Sequence, residues 1–282
     1  MKRLMNINYD NVPGLKDAAK IFVKSALRKF YVLPRRKLSR RLVQWRFRRV
    51  QRQIARRYNR RQTRIPKIIH YIWVGGNKKP ASVDKYIRSW KKYCPDYLII
   101  EWNEKNYDIT CNRYTREAYE SKKWAFATDF MRLDILDKFG GIYVDTDVEI
   151  VKNLDDFLDD PAFTSFEAGD PDQILMPTGL LAAEPGNRWI RFLKTYYDND
   201  RPFILSDGSF DLNANTVTIT RMTRQKYKLK MNNELQKNSD FVIYPSDYFC
   251  PKSWSTGKIN LTSNSHTIHH FAGSWKKQDP ST

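Results

Sequence analysis

The order of periodic segments after residue 65 predicts an α/β fold, a sheet packed between helices. Three observations carry that reading. Residues 67–74 form an apolar run that reads as a buried strand, residues 82–92 carry helical spacing, and residues 97–102 (YLIIEW) read as a second strand. Residues 124–139 then predict a helix closed by Gly140-Gly141 and followed by a strand, Ile142-Tyr143-Val144, that ends in Asp145-Thr146-Asp147. Aromatic residues make up 14% of the 282, with 8 Trp and 16 Tyr, enough for a dense core and a site that stacks on rings. A chain of this length fits one large α/β domain with an appendage.

The appendage is the N-terminal segment. Residues 1–67 hold 22 Lys and Arg against only Asp10 and Asp17, while the other 215 residues hold 28 against 29 acids. The net charge of +19 therefore belongs to the extension, and the remainder is near neutral. Residues 15–31 show an amphipathic pattern, with Ala19, Phe22, Val23, Ala26, Leu27 and Phe30 opposed by Lys20, Lys24, Arg28 and Lys29. Pro34 interrupts it, and residues 35–61 predict a second, very basic helix with two apolar rows. Leu38, Leu42 and Trp45 form one row; Val43, Phe47, Val50 and Ile54 form the other. Three readings fit: attachment to an anionic membrane surface, nucleic-acid binding, or packing against the next domain or a partner. The first is adopted, with residues 1–62 as the membrane-facing arm and no nucleic acid expected. The division is 1–64 for the basic helical extension and 65–282 for the α/β domain. The first residues lack a signal peptide's apolar core, and no run of eighteen apolar residues occurs. Cys94, Cys111 and Cys250 are far apart, odd in number and without metal-ligand spacing, which suits free thiols in a reducing compartment.

The second half is patterned more weakly. Residues 162–167 and 174–183 read as strands or buried connections, 187–197 as a helix opened by Pro185-Gly186, and 241–245 as a short strand. Residues 266–271 (HTIHHF) form an apolar-aromatic stretch.

Chemistry concentrates around the acid-bearing strand. Ala125, Asp129, Arg132 and Leu136 recur at three- and four-residue spacing, so Asp129 and Arg132 share a helix face. Strand alternation puts Asp145 and Asp147 on one side. Two carboxylates at a strand end can hold a hard divalent cation, which in turn can hold a diphosphate. A D-x-D alone is common as a solvated turn; the apolar strand before it and the Asp-x-x-Arg helix raise its weight. The loop Gly75-Gly76-Asn77 ends another predicted strand, so the two could face one cleft. His70 reads as a core histidine, and Glu167 and Asp170 as acids that nothing in the spacing assigns.

Four segments in order, IPKIIHYIWVGG (65–76), ATDFMRLDILDKFGGIYVDTDV (127–148), VIYPSDYFCP (242–251) and HTIHHFAGSW (266–275), resemble the DXD-containing sugar transferases, most closely glycosyltransferase family 32. The catalytic segment is also similar to that of the large glucosylating toxins. The resemblance implies a GT-A fold, a Rossmann-like nucleotide-sugar transferase fold, here with a basic helical N-terminal extension. It also implies roles. Asp147 would ligate Mn²⁺ or Mg²⁺, and Asp145 would support the metal and contact the donor. Asp129 and Arg132 would bind donor-sugar hydroxyls, Trp73 would stack on the base beside Ile72, and Tyr143 would lie beside the nucleotide. His270 would be the third metal ligand, with His269 as its rival, and Trp275 would close over the donor.

The expected protein is a metal-dependent retaining hexosyltransferase. It would move a sugar from a nucleotide-sugar donor, a UDP-hexose, to a glycan or polyprenyl-linked acceptor in cell-envelope or capsular polysaccharide synthesis. It would act in the cytoplasm, peripherally on the inner face of the membrane. A metal-dependent phosphoesterase or nuclease, and a catalytically inactive membrane-binding protein, are the alternatives from other classes.

Overall fold

The computed structural model describes residues 40–57, 63–169, 174–198 and 200–273. The expected helix over 15–31, the first residues of the second helix and Trp275 lie outside them. Residues 40–57 form α1. The other elements are β1 (Ile68–Ile72), α2 (Ala81–Tyr93), β2 (Leu98–Trp102), α3 (Arg113–Glu120), α4 (Trp124–Phe139), β3 (Gly141–Val144), β4 (Val148–Ile150), β5 (Ala162–Ser165), β6 (Leu180–Ala183), α5 (Arg188–Lys194), α6 (Asn215–Tyr227), β7 (Gln236–Lys237), β8 (Val242–Tyr244), α7 (Ser246–Phe249) and β9 (Thr267–His269).

Seven strands make one sheet in the order β2-β1-β3-β6-β5-β8-β7, and β4 pairs with β9 in a small second sheet. β2, β1 and β3 run parallel, as do β5 and β8; the other pairings are antiparallel. The α/β class read from the sequence therefore holds, with a mixed sheet. Alternation along β1 shows both faces in use. Ile68 and Ile72 pack with α4 on one face, and Ile69 and Tyr71 pack with Trp90 of α2 on the other.

α4 is the pivot. Eleven of its 16 residues are buried, because it lies between the sheet and α3, α5 and α6. A helix enclosed on all sides loses its polar stripe, so the few polar groups it keeps must find partners inside. Gly140 closes it by donating its N–H to the Leu136 carbonyl. Its φ of 59° comes with ψ of −163° rather than the left-handed helical value expected, a conformation open to glycine, and it turns the chain straight into β3. The turn is fixed by His70 in β1. Its Nε2 lies 2.8 Å from the Gly140 carbonyl, and its Nδ1 accepts from Trp102 Nε1 at 3.0 Å. Full burial holds that imidazole neutral, its pKa lowered to about 4. The core-histidine reading was right.

α1 docks on this core. Phe47 packs against Trp102 and Phe139 with ring centroids 5.9 and 5.7 Å apart, and Val50 and the buried Ile54 join the same face. The Val43 row thus faces inward, while Leu42 and Trp45 of the other row stay exposed. Among the described residues no helix is long and apolar enough to cross a membrane. Cys94, Cys111 and Cys250 are free thiols.

Candidate functional site

β3 is an interior strand, third of the seven in the sheet, and its carboxyl end delivers Asp145. The two aspartates do not meet by strand alternation. β3 stops at Val144, Asp145-Thr146-Asp147 form a turn closed by a Val148 N–H to Asp145 carbonyl bond of 3.0 Å, and the chain leaves as β4. The turn wins because β6 ends alongside. The Asp145 N–H donates to the Gly179 carbonyl at 2.8 Å, which uses the last ladder position.

β4 brings in the third group. It pairs antiparallel with β9 in a register that sets Val148 opposite His269. His269 Nε2 lies 3.3 Å from Asp147 Oδ1, and Asp145, Asp147 and His269 each offer a ligand atom within 4.8 Å of the others. This is the only such grouping among the described residues. His270, the ligand expected from sequence, faces elsewhere: its Nε2 lies 2.9 Å from Glu149 Oε2, and its ring stacks on Tyr86. Successive strand residues point to opposite sides, so one histidine of the pair had to be wrong for the site. The Gly179 position admits His269, because a Cβ there would sit 2.8 Å from its ring.

The electrostatics suit a cation. Burial alone would raise the Asp147 carboxyl, yet His269 and the Ala272 N–H, which donates to Asp147 Oδ2 at 2.8 Å, outweigh it and hold it at about 2. Burial likewise opposes charge on His269, and Asp147 outweighs that too, raising its pKa well above the ordinary value. Two carboxylates and an imidazole match what Mn²⁺ accepts, and an ion bonded at about 2.1 Å keeps neighbouring ligand atoms roughly 3–4 Å apart. The His269 ring is enclosed, with the buried Cys250 thiol as a neighbour that also favours its charged form. The residues fit a divalent ion. Glu167, set aside in the sequence, is half-buried near this group; burial pushes its carboxyl up to about 7 against the pull of His269.

Arg132 stands behind Asp145. Its Nη1 is 3.5 Å from Asp145 Oδ1 and donates to the Thr178 carbonyl at 2.8 Å. Its Nη2 is 3.2 Å from Asp129 Oδ1 and donates to Thr128 Oγ1 at 2.9 Å. The guanidinium lies 4.8 Å over the Tyr143 ring, whose hydroxyl donates to Asp145 Oδ1 at 2.6 Å. With its donors directed at protein groups, Arg132 acts in this state as a strut that orients both aspartates. Asp129 is buried, and burial pushes its carboxyl up to about 7 although Arg132 pulls the other way. Asn215 of α6 donates to its Oδ1 at 3.3 Å. Asn215 and the Thr178 carbonyl were invisible in the sequence, since α6 was not predicted and a carbonyl leaves no residue signature.

Ile72 and Trp73 end β1 on the same side of the sheet as the carboxyl end of β3. Ile72 is core, packed toward α4. Trp73 is partly exposed, and its indole N–H donates to the Asn77 carbonyl at 2.7 Å, which ties the ring to the loop that follows β1.

Residues 80–164 match the family described as glycosyltransferase sugar-binding region containing DXD motif, and the Asp145-Thr146-Asp147 turn lies within them. Over 100 residues the chain is 36% identical to uncharacterized glycosyltransferase L373 of Acanthamoeba polyphaga mimivirus, covering 33% of this chain and 40% of that protein. Over 118 residues it is 30% identical to inositol phosphoceramide mannosyltransferase 3 of Schizosaccharomyces pombe, covering 38% of this chain and 31% of that one. The match thus spans less than half the length of these curated relatives. Among solved structures, PaToxG Glycosyltransferase aligns over 69% of this chain and 80% of its own, with 19% identity and a TM-score of 0.42. The resemblance to DXD sugar transferases read from the sequence is borne out, and His269 lies beyond the matched stretch.

Proposed function

We propose that this chain, which carries a DXD glycosyltransferase sugar-binding region, is a divalent-metal-dependent transferase of a hexose from a nucleoside-diphosphate sugar. The convergence of Asp145, Asp147 and His269 at the carboxyl end of β3 carries the reading. These three would hold Mn²⁺ or Mg²⁺. When bound, such an ion neutralises the charge that builds on a departing nucleoside diphosphate.

The chain's own residues supply the rest. Arg132 fixes Asp145 for the metal and Asp129 for the sugar from one rigid guanidinium, which a lysine cannot do. Asp129 Oδ1 is taken by Arg132 and Asn215, so Oδ2 remains to meet a sugar hydroxyl. A pKa of about 7 lets that carboxyl accept or donate a hydrogen bond. Trp73 supplies a ring for the base. The resemblance favours retention of configuration and a UDP-hexose donor; the name of the fission-yeast relative adds a mannosyl donor and a lipid acceptor to the candidates.

Donor hydrolysis by the full chain with Mn²⁺, followed by mass spectrometry over UDP-hexoses and GDP-mannose, tests the reading. Asp147→Asn should keep the fold and lower turnover by about 100-fold or more, the scale of one strong electrostatic group. Unchanged turnover at saturating Mn²⁺ would reject it. A metal-dependent phosphoesterase would release monophosphate rather than diphosphate in the same assay.

A further inference from the structure

A groove of about 850 Å³ runs along α6, within the range of roughly 300–1,000 Å³ that small-molecule sites occupy. Its floor is apolar, from Leu175, Val217 and Leu229, and its cations are Arg221, Arg224 and Lys228. Arg221 and Arg224 stand three residues apart on one face of α6, and Lys228, the residue that caps the helix, lines the same groove. No side chain of the three makes a hydrogen bond or ion pair with another described residue. By contrast Lys226, one step around the helix, lies 4.0 Å over the Phe192 ring. Lys228 ends α6 with φ 57° and ψ 35°, a left-handed conformation that glycine or asparagine would adopt at lower cost.

Two short connections join this groove to the site. Leu175 lies three residues before Thr178, whose carbonyl holds Arg132, so their Cα atoms are at most ~11 Å apart. The Met176 N–H, next in the chain, ties this segment to α6 through Thr220 Oγ1 at 2.9 Å, and α6 opens with Asn215, whose amide holds Asp129. Among the described residues the lining contains no aromatic ring and no acid, the groups on which neutral sugars stack and to which they donate, and no ring for a nucleic-acid base. Cations without a partner among the described residues, set beside apolar side chains, match a negative headgroup on a hydrocarbon chain.

We propose that this groove binds the acceptor, and that the acceptor is an anionic amphiphile. Its phosphodiester lies on Arg221, Arg224 and Lys228, and its chain covers Leu175, Val217 and Leu229. This identification of the acceptor rests on the transferase reading.

The test is calorimetric titration of the full chain with monomeric dihexanoyl phosphatidylglycerol, together with donor hydrolysis on the same preparations. The triple variant Arg221→Gln, Arg224→Gln, Lys228→Asn should lose lipid affinity by about 5-fold per charge, roughly 100-fold in all, and keep donor hydrolysis. Lys228→Asn alone should lose about 5-fold with an unchanged or raised melting temperature, which separates the effect from misfolding. Lys226→Gln should bind as the unaltered chain does. The basic N-terminal segment is intact in every variant, so a loss reports the groove. No binding by the unaltered chain, equal binding of dihexanoyl phosphatidylcholine or of tail-less glycerophosphoglycerol, or full affinity in the triple variant would each overturn the proposal. Binding as expected without donor hydrolysis by the unaltered chain would overturn the transferase reading and the acceptor role, leaving an anionic-lipid site.

Discussion

At the residue scale the site turns on which histidine of a pair meets two carboxylates. A His-His dipeptide in a strand must place one ring on each side, and sequence alone could not say which side held Asp147. The pairing of β4 with β9 decided it for His269. That assignment has a proton signature. Asp147 favours the charged form of His269, so an ion binding Nε2 must displace a proton. Mn²⁺ titration near neutral pH in buffers of different ionisation enthalpy should show about one proton released, with affinity rising with pH. His269→Gln should abolish the release and weaken Mn²⁺ by about tenfold or more, whereas His270→Gln should leave both nearly unchanged. The reverse pattern would return the ligand role to His270. Asp129 gives a second pH signature. Its folded pKa of about 7 lies above the ordinary carboxylate value, so its stabilising contribution is full below about 4 and lost as pH rises through about 7. Relative to Asp129→Asn, the unaltered protein should lose about 1–4 kcal/mol of unfolding free energy between pH 4 and 8. Parallel profiles in urea melts would show that the carboxyl titrates normally. Trp73→Ala should weaken UDP binding by roughly 5- to 100-fold, the worth of one base on one ring; an unchanged dissociation constant would make Trp73 a packing residue only.

At the element scale, α1 shows how a charged helix can still belong to a core. Its rows of apolar residues were legible, but their partners were not, because an amphipathic row looks alike whether it meets lipid or protein. Trp102 and Phe139 cover the Phe47 row. Ile54→Ala should therefore cost about 2–5 kcal/mol in chemical unfolding, and the exposed Trp45→Ala less than about 0.5. Equal effects would mean that α1 is not docked. α3 and α6 went unread for a related reason. Polar and charged residues make up most of both, α3 as RYTREAYE and α6 as NTVTITRMTRQKY, and their helical state follows from the surfaces of α4 and the 174–179 segment against which they pack.

Across the whole molecule, charge is segregated. The exposed face of α1 presents Trp45, Arg49, Arg52, Gln53 and Arg56. If this face meets anionic lipid, Arg49→Gln, Arg52→Gln, Arg56→Gln should reduce sedimentation with anionic vesicles at about 1 kcal/mol per residue. Binding should vanish at 1 M salt, where screening reaches ~3 Å. Substitution is the cleaner probe here, because deleting residues 1–62 also removes Phe47 and Ile54 from the core. Salt-independent binding, or competition by duplex DNA at physiological salt, would point to a different partner.

Legible in the linear chain were the α/β class, the strand that delivers Asp145, the Asp129–Arg132 face and the confinement of net positive charge to the N-terminal segment. Those features are written in local period, composition and spacing, which a linear reading captures. Tertiary contacts alone set the convergence of the aspartates through a turn, the place of His269 with them, the bracing of Arg132 and Asp129 by Thr178 and Asn215, and the groove lined by Arg221, Arg224 and Lys228, whose side chains have no partner among the described residues. These depend on register between strands distant in the chain and on burial without water, neither of which any local pattern encodes.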